Sequence, residues 1–265
     1  MEIIESYVQG KRGVPELCED GLVVTDHFAA VVDGSTSKVG AHGGREAMRL
    51  TLQAIRSLPP DADKEETLRR LTAAIAPHNP PQAAAQAAYR LTCSAVLYSR
   101  HRETVWFIGD CQCRAAGRTH THPKLVDRIL TEARCDAVRY LLRHGATADG
   151  LRRNDLGRAV IADALREQTN FQNDPNPSNP FRYPVLDGFP VDPAAVPALS
   201  VRGCGQIVLA SDGYPVLCDT LAETEQALRR LLHADPLCIG PNAGTKCWAD
   251  GNVSFDDRAY LSLRL

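Results

Sequence analysis

Carboxylates recur at five points of the chain, each at or near the end of an apolar run. They are Glu19-Asp20, Val31-Val32-Asp33-Gly34, Phe107-Ile108-Gly109-Asp110, Leu209-Ala210-Ser211-Asp212-Gly213 and Phe255-Asp256-Asp257-Arg258. An aspartate at the end of a buried strand stands at the rim of the core, and several such ends brought together make an acidic pocket. Clustered carboxylates repel one another unless something neutralises them. A hard divalent cation, Mg²⁺ or Mn²⁺, suits carboxylate and water oxygens. Gly34, with no side chain, lets its own carbonyl approach such an ion. Taken singly, Asp33-Gly34 and Asp212-Gly213 read as turns, Asp256-Asp257 as a solvated loop and Glu19-Asp20 as a surface pair. Their order and their strand context carry the signal.

The elements that must position them can be read from periodicity. Leu22-Val23-Val24 and Phe28 to Val32 are short apolar runs bounded by turn residues, as buried strands are. Met48, Leu52 and Ile55 then share a helical face, as do Leu68, Leu71 and Ile75. An alanine-rich helix is predicted over 82–89. Strands 92–99 and 104–110, joined by Arg100-His101-Arg102-Glu103, predict a hairpin. Helices are predicted over 124–144, with Gly145 past its C-terminus, and over 155–168. Residues 170–197 are irregular and hold seven of the 17 prolines; loops that long are usually functional or tied to a surface. A strand over 206–211, a helix opened by the capping box Thr220/Glu223 and an alternating strand ending at Leu265 complete the chain. No repeat and no hydrophilic linker divides it, so a single domain over 1–265 is expected.

Composition excludes several classes. Lys+Arg is 30 and Asp+Glu 32 among 265 residues, a net charge of −2. Nucleic-acid binding normally needs a basic surface, so no nucleic acid is expected as partner. No apolar run approaches the roughly 18 residues of a membrane span. The N-terminus is acidic where a secretory signal would be basic, so a cytoplasmic protein is expected. The nine cysteines are then read as reduced. Cys111 and Cys113 form a C-x-C pair without a second pair at zinc-site spacing, so buried, strand-borne thiols are the expectation.

The ordered series Glu19-Asp20, Asp33-Gly34, Gly109-Asp110, Ser211-Asp212-Gly213 and Asp256-Asp257 resembles the metal-dependent PP2C-type (PPM) protein phosphatases, over about residues 10 to 265. The resemblance implies an α+β fold: a four-layer α-β-β-α sandwich of two antiparallel sheets flanked by helices. It implies two Mn²⁺ or Mg²⁺ ions bridged by Asp33. Glu19 and the Gly34 carbonyl would complete one site, Asp212 and Asp256 the other. Asp20 would hold a metal-bound water, and Asp110 with Asp212 matches the ligands of a looser third ion. Two such cations lower the pKa of a bridging water and present hydroxide to phosphorus, with Asp33 and Asp212 as the central catalytic carboxylates. No Cys-x5-Arg phosphate loop is present, which disfavours a thiol phosphatase.

The sequence also departs from that pattern. Where eukaryotic relatives have His-Gly-Gly after the second motif, this chain has Ser35-Thr36-Ser37-Lys38; His42 is the nearest substitute for that general acid. The arginine often found just before Glu-Asp is missing, leaving Lys11 and Arg12, further upstream, as candidates to grip phosphate. A helical and loop insert at about 120–190 replaces a short flap. Its basic residues, Lys124, Arg128, Arg134, Arg152, Arg153 and Arg158, either line the cleft and select substrate or form the outer faces of amphipathic helices. The function expected is a metal-dependent phosphomonoester hydrolase, foremost a serine/threonine phosphoprotein phosphatase. A phosphatase of a small phosphorylated metabolite and an inactive binding module are the alternatives.

Overall fold

The computed structural model describes residues 1–37, 39 and 43–265. The chain opens with β1 (Glu2–Gln9), β2 (Asp20–Val24), β3 (Phe28–Gly34), α1 (Gly44–Arg56) and α2 (Lys64–Ile75). Next come β4 (Cys93–Ser99), β5 (Thr104–Ile108), β6 (Gln112–Ala115) and β7 (Arg118–His120). The middle segment supplies α3 (Leu125–Arg143), α4 (Ala148–Arg153), α5 (Leu156–Val160) and α6 (Ala162–Glu167). β8 (Ala198–Ser200), β9 (Gln206–Ala210), α7 (Leu221–Ala234) and β10 (Arg258–Arg264) follow.

The strands form two antiparallel sheets of five, in the orders β1-β10-β9-β6-β7 and β2-β3-β4-β5-β8. Side chains alternate across a strand, and both faces of the central strands are apolar. Ala29, Val31, Val96 and Phe107 meet Leu209, Ala259, Leu261 and Leu263 of the other sheet, in the layer between the sheets. Ala30, Val32, Ala95 and Leu97 point outward instead, onto Met48 and Ile55 of α1 and Leu68, Leu71 and Ile75 of α2. Val208, Ala210 and Tyr260 face Leu228 and Leu232 of α7 on the opposite outer side. The result is the expected α-β-β-α sandwich. Among the described residues no helix is long and apolar enough to cross a membrane.

Two helices expected from the sequence differ in the structure. Residues 82–89 form only the short 3-10 turns Pro81–Ala84 and Ala87–Tyr89. Pro77, Pro80 and Pro81 leave too few residues before β4 for a stable helix, and the Asn79 side chain ties the end of the stretch by accepting from the Leu91 amide at 2.8 Å. The helix over 155–168 breaks at Ile161 into α5 and α6. The break lets Gly157 pack directly on Val138 and Arg134 of α3, while Ile161 and Leu165 reach Val126 and Leu130. Strands β1, β6, β7 and β8 are additional to the expected set. The nine cysteines are all free, and both Cys111 and Cys113 are buried.

Candidate metal centre

The carboxylates converge because the strands that carry them end at one edge of the sandwich. In the β2–β3 ladder Asp20 lies directly opposite Asp33. The Gly34 amide donates to the Glu19 carbonyl at 3.0 Å, locking the two motifs together. A Cβ on Gly34 would collide with the Gly44 carbonyl at the start of α1, so only glycine permits this approach. Gly109, at φ +98°, turns the chain after β5. It swings Asp110 toward β4, where the Ser94 hydroxyl donates to Asp110 Oδ1 at 2.7 Å. After β9, the Ser211 hydroxyl accepts from the Ala259 amide at 2.9 Å. Asp257 is a backbone clamp: it accepts from the amides of Lys11 at 2.7 Å and Glu19 at 3.0 Å.

One carboxylate oxygen each from Asp33, Asp110 and Asp212 falls within 4.8 Å of the others. With Gly34, Lys11 and Asp256 they line a cavity of about 500 Å³. Glu19 and Asp20 are not part of this lining. Asp20 is only 4% exposed, and among the described residues neither of its oxygens has a hydrogen-bond partner within bonding geometry. Arg12 is exposed and does not line the cavity. His42 lies outside the described residues.

The electrostatics divide these acids into two groups. Burial, then the neighbouring carboxylates, push Asp20, Asp33 and Asp212 well above the ordinary carboxylate range; the nearby Ser211 hydroxyl only moderates this for Asp20. Asp212 is open to the cavity yet closed in by protein on its other sides, so burial still leads. Burial also opposes ionisation of Asp110, but the Lys124 ammonium, 2.7 Å from Asp110 Oδ2, outweighs it and holds this acid low. Asp256 is likewise buried, yet Lys246 and Lys11 pull it down to about 2. Lys246 ion-pairs with Asp256 Oδ2, and the Lys11 ammonium lies 3.3 Å from Asp256 Oδ1, 3.5 Å from Asp257 and 3.7 Å from Glu19. Thr36 donates to Glu19 as well.

This donor set fits a divalent cation. Asp33, Asp110 and Asp212 offer hard oxygens at one point, two of them without an ammonium partner among the described residues. Beside them stands a buried carboxylate with both oxygens orphaned, an arrangement costly without a nearby positive charge. The thiols do not compete for this role, since burial pushes Cys113 up to about 12 and Cys111 also upward.

The middle segment adds cations to the same cavity. Lys124, immediately before α3, and Arg158 of α5 both line the cavity. Arg128 and Arg153 are exposed. Arg152 stacks on Trp248, 4.6 Å from the ring centre. Arg134 is fully buried. Its guanidinium donates to the carbonyls of Leu237 (2.9 Å), Cys238 (3.1 Å) and Gly244 (3.0 Å) and to Asp155 (2.8 Å). Asp155 also accepts from the amides of Cys247 and Arg158. The loop carrying Lys246 is thus fixed to α3 and α5 at once. Lys246 itself escaped the sequence reading: it sits in a Pro/Asn/Gly-containing loop with no motif, and its only signal is a lone cation ten residues before Asp256.

No family model matches the chain, and no curated protein does. Solved structures do. The serine/threonine phosphatase Stp1 from Staphylococcus aureus is similar at 12% identity and TM-score 0.50, over 100% of this chain and 96% of that one. The Mycobacterium tuberculosis serine/threonine phosphatase PstP/Ppp is 18% identical with TM-score 0.47, over 100% and 99% of the two chains. The catalytic domain of PstP in complex with two manganese ions is 17% identical with TM-score 0.48, over 98% and 97%. The likeness to the staphylococcal structure, with two five-stranded antiparallel sheets between helical layers, shows that this chain has the fold of the PP2C-type serine/threonine phosphatases.

Proposed function

We propose that this chain is a metal-dependent phosphomonoester hydrolase whose substrate is phosphoserine or phosphothreonine on a protein. The observation that carries the reading is the convergence of Asp33, Asp110 and Asp212 within 4.8 Å, from three remote stretches of chain. These three would hold Mn²⁺ or Mg²⁺, and the bound cation would supply an activated water and charge neutralisation at phosphate. Asp20, buried beside the cluster, would be ionised most readily with a cation bound nearby. Lys124 and Arg158 add positive charge to the same lining, which favours entry of a phosphate dianion and offers donors to its non-reacting oxygens. Lys11 contributes a third positive group to the lining. The free thiols fit a reducing, cytoplasmic setting.

The cavity favours a second reading, a small phosphorylated metabolite as substrate, because Lys124 and Arg158 place two cations within a lining of about 500 Å³. Hydrolysis of a chromogenic aryl phosphate with Mn²⁺, and its loss with chelator, tests the activity. Turnover of phosphopeptides but not of sugar or nucleotide phosphates supports the protein substrate, and the reverse pattern supports the metabolite. Chelator-insensitive or absent turnover overturns the hydrolase reading.

A further inference from the structure

Resting on this metal-dependent reading, we propose that Lys11 and Lys246 take the place of one cation, so that the chain binds a single divalent ion, on Asp33, Asp110 and Asp212, rather than a pair bridged by Asp33. The geometry around Asp256 carries the inference. Both of its carboxylate oxygens are claimed by ammonium groups, Oδ1 by Lys11 at 3.3 Å and Oδ2 by Lys246. Lys11 reaches Glu19 as well, at 3.7 Å. In a paired arrangement Asp256 would serve the second ion, so with both of its oxygens paired the lysines withdraw that ion's ligand. An ammonium and a divalent ion compete for the same lone pairs and repel each other at close range. Among the described residues Asp33 and Asp212 have no ammonium paired with them, whereas Asp256 has two. Asp110, which does pair with Lys124, still presents an oxygen to the cluster.

Neither lysine arrives on a loosely held backbone. The Lys11 amide donates to Asp257 at 2.7 Å and its carbonyl accepts from the Val253 amide at 2.8 Å. Lys246 is flanked by Thr245, whose carbonyl accepts from Arg158 at 2.6 Å, and by Cys247, whose amide donates to Asp155 at 3.0 Å. The two ammonium groups are therefore positioned from opposite sides of Asp256 by separate anchored segments, as substitutes for a fixed ion would be.

Calorimetric titration of the metal-free protein with Mn²⁺, paired with electron paramagnetic resonance of the loaded protein, tests this. The expected result is one bound ion with the spectrum of an isolated Mn²⁺, and uptake of a second ion by the double variant Lys11→Met/Lys246→Met. Two ions in the wild-type protein with a spin-coupled spectrum would overturn the substitution while leaving the metal-dependent reading intact. No ion bound would overturn both. The wild-type measurements stand without the variant, should the variant fold poorly.

Discussion

Asp20 and Asp33 face each other directly across the β2–β3 ladder. Like charges in that position destabilise a sheet, and burial with its neighbours raises both pKa values, together with that of Asp212. For a carboxylate whose folded pKa exceeds its unfolded value of about 3.8, the stabilising contribution is present below the unfolded value and lost as pH rises through the folded one. Asp256, pulled down to about 2, works oppositely and loses its contribution as pH falls from 3.8 toward 2. The metal-free protein should therefore lose thermal stability between mildly acidic and neutral pH, and Mn²⁺ should restore it at neutrality. Melting temperatures across pH with and without chelator check this; a metal-free profile that rises toward neutrality contradicts it.

Asp212→Asn should separate stability from activity. Removing one charge relieves repulsion with Asp33 and Asp110, so the metal-free variant should melt no lower than wild type. Turnover at saturating Mn²⁺ should fall at least about a hundredfold. Near-wild-type turnover would sink the role assigned to this carboxylate.

Lys124→Met should leave Asp110 without its buried counter-charge, at a stability cost of about 1–3 kcal/mol. It should also raise the Asp110 pKa, so metal affinity should become more sensitive to pH below neutrality. Denaturant unfolding and Mn²⁺ titration at two pH values measure both effects. An unchanged pH dependence would show that the 2.7 Å ion pair does not govern this acid.

Gly109→Ala tests the turn that aims Asp110. The residue has φ +98° and its added methyl would strike the Ser94 side chain. A loss of about 1–3 kcal/mol is expected from the backbone conformation alone, with weaker Mn²⁺ binding as Asp110 shifts. A variant that matches wild type in both measurements would show that the turn does not set the site.

Arg134→Met should cost about 3–5 kcal/mol, since removing one partner of a buried ion pair leaves the other unpaired. Three carbonyls of the 237–244 stretch lose their donor as well. Urea unfolding would reveal it, and a loss under about 1 kcal/mol would mean that the loop holds its place by other contacts.

Much of the acidic side of the site was legible in the sequence, because an apolar run ending in Asp-Gly or Ser-Asp-Gly marks both a buried strand and the group at its rim. β3 and β9 are such cases, and the Thr220/Glu223 capping box starts α7 as read, with the Glu223 amide donating to Thr220 at 3.3 Å. β1 was not legible: EIIESYVQ is exposed on one face and only half-buried on the other, and its place depends on pairing with β10, more than 240 residues away. β6 and β7 are too short and polar to show a period. The cationic side was legible only in part. Lys124 and Arg158 belonged to a basic segment whose orientation no pattern could fix. Lys246 reaches Asp256 through a loop shaped by Arg134, a long-range contact without local signature.

The burial of Arg134 bears on how the molecule assembles. A guanidinium deprived of water must find all its acceptors together, and here they lie 21 residues away at Asp155 and 103 residues away at Leu237. Closing so long a loop is entropically slow. The approach of Lys246 to Asp256 is thus secured by tertiary docking rather than by any local element, and a chain in which these distant stretches have not met lacks the cationic half of its cleft.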